Sequence, residues 1–399
     1  MADLDNKNRK DEIAAMRNKK KRQKKVRLAL IFAALGAAAI VATVIAVNLR
    51  GFSSYKTISS QDVIKQDEPG AVYASYKNGY IRSSHSGVEY VDANGNTRWN
   101  EPVTFSDPKI LVYGDMILVA DIGGNSVEIF DESGRTGKVE SPYSIYEAAG
   151  TASGRVAIMT RDNNSNYLEL YEPDGEAIYS IKTVLGGDGY PLAFDVNSDG
   201  SRLAVSYVKA ENKPVETGIR VYDFSGSKDS GGNRVMGEFS DFDGELTGDI
   251  CFFDNGTVAA VSENAVKFYA DNGKSVSLKS EHELFEDYDG TVKRVMKSGD
   301  KLVLIISVND TDVPERLVIF DANGRLACDT ELTEGYDKYV LEEDRIIMTS
   351  PFRFAVYSLK GKEVTKQTSD KQISAIIGNG SGSNFFLVSE GNVERIKLS

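Results

Sequence analysis

Short runs of alternating apolar and polar residues fill the chain from about residue 55 onward, and one ten-residue pattern recurs among them. VIFDANGRLA (318–327) alternates, breaks at Asn323-Gly324 and resumes. Near copies are VEIFDESGR from 127, LELYEPDGEAI from 168, IRVYDFSGS from 219 and VKFYADNGKSV from 266. The turn glycines fall at Gly95, Gly134, Gly175, Gly226, Gly273, Gly324 and Gly361, at intervals of 39, 41, 51, 47, 51 and 37 residues. Alternation with a period of two is the mark of half-buried strands. A repeat of about 40–50 residues holding several short strands indicates a β-propeller rather than a helical solenoid.

Four strands, A to D, are legible in a repeat: TVKRVMK, KLVLIISV, RLVIFDA and RLACDTEL in one copy, and ICFFD, TVAAVS, AVKFYA and SVSLKS in another. PLAFDV, RLAVSYV, GIRVYDF and RVMGEFS follow the same order. An eighth, partial copy (SAIIG, NFFLVSE, NVERIKL) lacks a fourth strand, while YKTISSQDVI (55–64) has no strands of its own to pair with. That segment is expected to supply the missing strand and so remove the open edges of the ring. The predicted fold is all-β, an eight-bladed propeller, with seven blades as the alternative.

A different pattern precedes the repeats. LALIFAALGAAAIVATVIAV (28–47) is 20 residues without a charge, the length a helix needs to span ~30 Å of hydrocarbon. KKKRQKKVR (19–27) stands before it, and only Arg50 and Lys56 follow nearby. The positive-inside rule then places the N-terminus in the cytoplasm and the repeats outside, in the cell membrane's single-pass topology. A cleaved signal peptide is the rival, disfavoured by the long apolar run and the lack of a small-x-small site. The expected layout is a basic cytoplasmic tail (1–27), a transmembrane helix (28–48), a linker (49–56) and an extracytoplasmic propeller (57–399). The basic run needs no role beyond setting topology, although it also suits anionic headgroups.

Charge sharpens the picture. The net charge of −12 divides into +7 on residues 1–27 and −19 on the rest. An acidic body does not suit a phosphate backbone, so nucleic acid is excluded as a partner. Cys251 and Cys328 have no CxxC or Cys/His spacing and are expected to be small buried hydrophobes rather than zinc ligands or a disulfide.

The strand-C signature, in VEYVDANGNTRW, VIFDANGRLA and VYSLKGKEV, resembles that of quinoprotein-like and WD40-like propellers, over residues ~55–399. DVNSDGSRLAVS (195–206) adds a WD40-like strand-turn-strand. The whole layout is similar to membrane-anchored single-pass propeller proteins of Gram-positive bacteria. The resemblance implies the fold. It does not extend to quinone chemistry, since Trp99 is the single tryptophan where such enzymes use recurrent ones, and the WD dipeptide with its histidine partner is missing.

Candidate chemistry is sparse. Asp195, Asn197 and Asp199, followed by Gly200, match the first half of a calcium loop. Calcium needs six to eight oxygens and a Glu at position 12, where Ser206 stands. A hairpin turn is therefore the expected use, and no cofactor is expected. DFDGELTGD (241–249) and EHELFEDYDG (281–290) are acidic loops able in principle to hold calcium or paired catalytic carboxylates. His85 and His282 read as ordinary. No P-loop, Rossmann or nucleophile-elbow glycine pattern stands in a suitable strand–helix context, and no catalytic activity is expected.

Geometry places the partner. In an up-and-down blade the A–B and C–D turns share one face, and the B–C and D–A loops share the other. The second set is longer, and includes KAENKPVETG (209–218), NDTDVPER (309–316), RDNNSN (161–166), LGGDGYP (185–191) and both acidic loops. This face is the expected binding surface, through Asp241, Asp243, Glu245, Asp249, Glu281, Glu283, Glu286, Asp287, Asp289, Asp310 and Asp312. The expected role is a membrane-tethered scaffold for an envelope protein or cell-wall polymer. A ligand sensor reading out through a cytoplasmic partner and an envelope carboxylate hydrolase or lyase are the alternatives.

Overall fold

A computed structural model of the chain describes residues 52, 54–62, 70–184, 187–209, 216–226, 234–242, 244–286, 288–342, 344–380 and 382–399. The run 28–47, its basic flank, Asp243 and Asp287 lie outside them. Among the described residues no helix is long and apolar enough to cross a membrane.

The first strand, β1 (Tyr55–Asp62), is set apart from its sheet in sequence. Blade 1 follows as β2 to β5 (Val72–Tyr76, Gly79–Ser84, Gly87–Val91, Thr97–Pro102), and blade 2 as β6 to β9 (Pro108–Tyr113, Met116–Asp121, Ser126–Asp131, Gly134–Glu140). Blade 3 is β10 to β13 (Ser144–Gly150, Val156–Arg161, Ser165–Tyr171, Ala177–Val184), and blade 4 is β14 to β17 (Tyr190–Val196, Arg202–Lys209, Glu216–Asp223, Val235–Phe239). Blade 5 is β18 to β21 (Thr247–Phe252, Thr257–Ser262, Ala265–Asp271, Val276–Glu283), and blade 6 is β22 to β25 (Gly290–Ser298, Lys301–Val308, Glu315–Asp321, Leu326–Leu332). Blade 7 is β26 to β29 (Lys338–Leu341, Arg345–Ser350, Arg353–Ser358, Glu363–Thr368). β30 to β32 (Ile373–Gly378, Asn384–Ser389, Asn392–Leu398) take β1 as their fourth strand, in the order β1-β32-β31-β30. The register runs antiparallel from Tyr55↔Leu398 to Asp62↔Asn392. The ring is eight-bladed, and the segment before the first repeat closes it.

Strand B of each blade explains why the blades stack. KLVLIISV alternates like any strand, but both of its faces are apolar. Leu302, Leu304 and Ile306 pack with Phe253, Ala259 and Phe268 of blade 5. Val303 and Ile305 point the other way, against Tyr339, Ile346 and Met348 of blade 7. Eight such apolar seams, one between each pair of neighbouring blades, form the core among the described residues.

The repeated C–D hairpin has its own physical cause. Asp321 Oδ1 accepts from the N–H groups of Asn323 (2.8 Å) and Arg325 (3.0 Å), and Gly324 takes φ 77°. Asp92 does the same for Asn94 and Asn96 at 2.9 and 3.0 Å. The aspartate of the repeat therefore recurs because it satisfies turn amides. Burial pulls these carboxyls up, but the backbone donors outweigh it, so Asp92 and Asp321 sit below the ordinary aspartate value. A depressed carboxylate contributes stability above its unfolded pKa and loses it as pH falls through the folded one. Denaturant titrations at pH 7 and pH 3 should accordingly show lower stability in acid; equal midpoints would contradict that role.

Gly324 is constrained twice, by its positive φ and by space. A methyl group there would collide with Ser280 Oγ and lie 2.9 Å from the Phe268 ring. Gly324→Ala is expected to cost about 1–3 kcal/mol, read as a lower denaturation midpoint; an unchanged midpoint would contradict it.

Candidate functional site

The acidic residues of the loop-rich face divide into groups with different surroundings. Two converge on one lysine. Lys267 of β20, 8% exposed in its side chain, lies 3.0 Å from Glu281 and 3.9 Å from Asp241, and also donates to the Asp241 carbonyl. Tyr269 donates to Asp241 at 3.1 Å. Nearby, Glu245 accepts from Ser262 Oγ (2.7 Å) and from Asn264 Nδ2 and N (2.8 and 3.3 Å). Burial pulls its carboxyl up, but these donors hold it below the ordinary glutamate range. Glu245 thus caps the β19–β20 turn, and Glu281 and Glu283 belong to β21 rather than to a loop. Glu245→Ala should cost about 1 kcal/mol by removing the hydrogen bonds that hold this turn. Unchanged thermal stability would contradict the capping role.

Glu283 and Glu286 have a different setting. Between blades 5 and 6 runs a groove of about 140 Å³, lined by His282, Glu283, Leu284, Glu286, Tyr288, Val318, Phe320, Leu326 and Asp329. The His282 ring lies 5.0 Å from that of Phe320, and its Nε2 donates to the Gly324 carbonyl at 2.6 Å. Arg316 covers Tyr288, 4.8 Å from the ring centroid, and neutralises Asp329 at 2.9 Å. Leu326 is 54% exposed on the lip. Glu283 and Glu286 make no ion pair among the described residues. Val318 and Phe320 at its base are almost fully buried, so the groove presents Leu326 as an exposed apolar lip beside two solvated carboxylates. On the adjoining loop Asp310 Oδ1 accepts from Asp312 N at 2.8 Å, and the Asp289 carbonyl accepts from Asn309 N at 3.1 Å, while all three side chains are exposed.

The calcium candidates diverge. Asp195 turns inward, accepting from Phe252 N at 2.8 Å and pairing with Lys297 at 2.5 Å. Asn197 and Asp199 accept from the N–H groups of Arg202 (2.9 Å) and Ser201 (2.8 Å) within the β14–β15 hairpin. Among the described residues no group of three or more His, Cys, Asp or Glu is placed to hold a metal. Cys251 is buried, Cys328 is half-buried, and neither forms a disulfide. Burial pushes the Cys251 thiol up.

Asp249 lies elsewhere. It sits on β18, the innermost strand of blade 5, beside the axis of the ring. Burial raises its carboxyl above the ordinary aspartate value, and the charges of Arg294, Glu147 and Lys109, from the innermost strands of blades 6, 3 and 2, act on it. Repeat comparison could have found this group, as a charge early in an otherwise apolar strand A. The groove lining was not legible that way, because it joins two repeats.

A family profile described as "Family of unknown function (DUF5711)" matches residues 48–398. The chain belongs to this family. A search of curated proteins gives no match. Among solved structures, BamB from Moraxella catarrhalis is 13% identical, with 86% of this chain and 100% of that one covered at a TM-score of 0.51. Sqt1 from Chaetomium thermophilum, bound to the N-terminus of the ribosomal protein L10, is 12% identical over 86% and 100% of the two chains, with a TM-score of 0.55. The computationally designed Ika8 protein is 9% identical, covering 88% and 100%, at 0.51. At these identities the likeness is one of fold.

Proposed function

We propose that this member of the DUF5711 family is a membrane-tethered binding scaffold. Residues 28–48 anchor it, residues 1–27 stay in the cytoplasm, and the propeller lies outside the cell membrane. The partner is an envelope protein that inserts a basic segment with apolar side chains between blades 5 and 6. The carrying observation is the groove itself, which sets the exposed apolar side chain of Leu326 beside the solvated carboxylates of Glu283 and Glu286. The apolar lip supplies burial, while the carboxylates select charge and steer encounter. A propeller suits such a role, as Sqt1 illustrates by its bound ribosomal-protein N-terminus. The reading includes no catalytic step and no cofactor, in keeping with Asp241, Glu245 and Glu281 being engaged in structural contacts.

Topology has a direct test. Protease added to intact cells should remove a C-terminal tag and spare an N-terminal one; the reverse pattern would overturn the anchor assignment. For the groove, the Glu283→Gln/Glu286→Gln variant should weaken partner capture about tenfold or more at low salt, and less at high salt. Capture that is unchanged, or that instead follows purified cell-wall polymer, would refute the assignment.

A further inference from the structure

We infer that the loop-side mouth of the central channel is a binding site for a small zwitterion of the amino-acid type, separate from the groove between blades 5 and 6. Asp249 would hold its ammonium group and Arg294 its carboxylate.

Three observations carry this. The first is the backbone. The innermost strands of blades 3, 4, 5, 6 and 8 slip register near their loop-side ends, between Ile145 and Glu147, Pro191 and Phe194, Thr247 and Asp249, Val292 and Arg294, and Ile373 and Ala375. A bulge re-aims the side chain that follows it, and in three of these strands that residue is Glu147, Asp249 or Arg294. The charges thus stand at one level of the ring rather than scattered along it.

The second is the pairing. Lys109 and Glu147 satisfy each other at 2.5 Å. Asp249 and Arg294, on neighbouring blades, make no hydrogen bond or ion pair among the described residues; solvent reaches both, while the surrounding protein raises the Asp249 carboxyl and the Arg294 charge opposes that rise. An engaged pair thus stands beside an open carboxylate and an open guanidinium.

The third is the floor. Deeper in the channel Lys297 of blade 6 reaches past blade 5, taking the Phe252 carbonyl at 2.7 Å and the blade 4 carboxylate of Asp195 at 2.5 Å. Tyr113 of blade 2 lies close to this pair, and burial pushes its hydroxyl up to about 12. The mouth is therefore a recess with a charged, internally satisfied floor. A zwitterion matches it because each ligand charge meets one open protein charge of opposite sign, in the fork geometry that guanidinium offers carboxylate.

The test is calorimetric titration of the full chain in detergent with a panel of α-amino acids, each beside its N-acetyl and its carboxamide derivative. At least one free amino acid should bind, and both derivatives should bind at least about tenfold more weakly. Asp249→Asn and Arg294→Gln, both exposed positions, should each weaken the same ligand at least about tenfold without shifting the melting temperature. No binding across the panel, derivatives binding as well as the parent, or either variant binding like the unchanged protein would overturn the assignment.

Discussion

A chain beginning at residue 70 should be far less stable than one beginning at residue 52. The difference includes β1, which contributes the whole outer strand of the eighth blade, paired from Tyr55↔Leu398 to Asp62↔Asn392. Without it the outward edge of β32 presents unpaired backbone groups, the condition that leads to edge-to-edge association. The apolar contribution is lost as well. Phe52 and Tyr55 pack against the seam between blades 7 and 8, where the Tyr55 and Phe354 rings lie 5.8 Å apart. Phe52 N also donates to the Val364 carbonyl at 2.8 Å. The segment thus joins two blades, and its removal should lower the melting temperature by roughly 10 °C and promote aggregation. A peptide spanning 52–62, added in trans, should restore part of the loss. A truncated chain that melts with the longer one and stays monomeric would show that the ring does not depend on this closure.

The second large effect is expected at Lys297. Its ammonium crosses the channel to Asp195, which is 8% exposed and accepts in addition from Phe252 N at 2.8 Å. Burial alone would push the lysine down, but Asp195 outweighs it and the net direction is upward. By linkage, a raised lysine contributes stability below its unfolded pKa and loses it only as pH climbs through the folded value, so the pair is intact at neutral pH. Lys297→Met leaves a buried carboxylate without its cation, at a cost of about 3 kcal/mol. The 26% exposure of the Lys297 side chain places this at the low end for such pairs. Asp195→Asn combined with Lys297→Met should recover part of the loss, since the amide oxygen still accepts from Phe252 N while the Val196 N–H loses its acceptor. Equal stability of the single variant and the unchanged protein, or no recovery in the double, would contradict this.

The repeats were legible in the sequence because each blade must make the same reversal with local residues. Asp321 and Gly324 act on amides within four residues of themselves, so their pattern survives in one dimension. Closure was legible for a similar reason: a copy short of one strand and an orphan strand stood at opposite ends. The roles of the acidic residues were not. Glu281 and Asp241 look alike in a charge run, yet both are drawn to Lys267, and the calcium-like Asp195 is claimed by a lysine 102 positions away. Such partners lie on other strands or in other blades, and no local period encodes them. The groove is hidden for the same reason, its base and lip coming from β24 and β25 and its carboxylates from blade 5 and the loop that follows.

Site-specific photo-crosslinking in living cells tests the scaffold most directly, with the reactive side chain at Leu326 on the groove or at Lys274 in the C–D turn of blade 5, which lies against blade 4 instead. A discrete protein adduct is expected from position 326 and not from 274, and Glu283→Lys/Glu286→Lys should abolish it. The same adduct from both positions, or one indifferent to that charge reversal, would contradict a partner seated between blades 5 and 6.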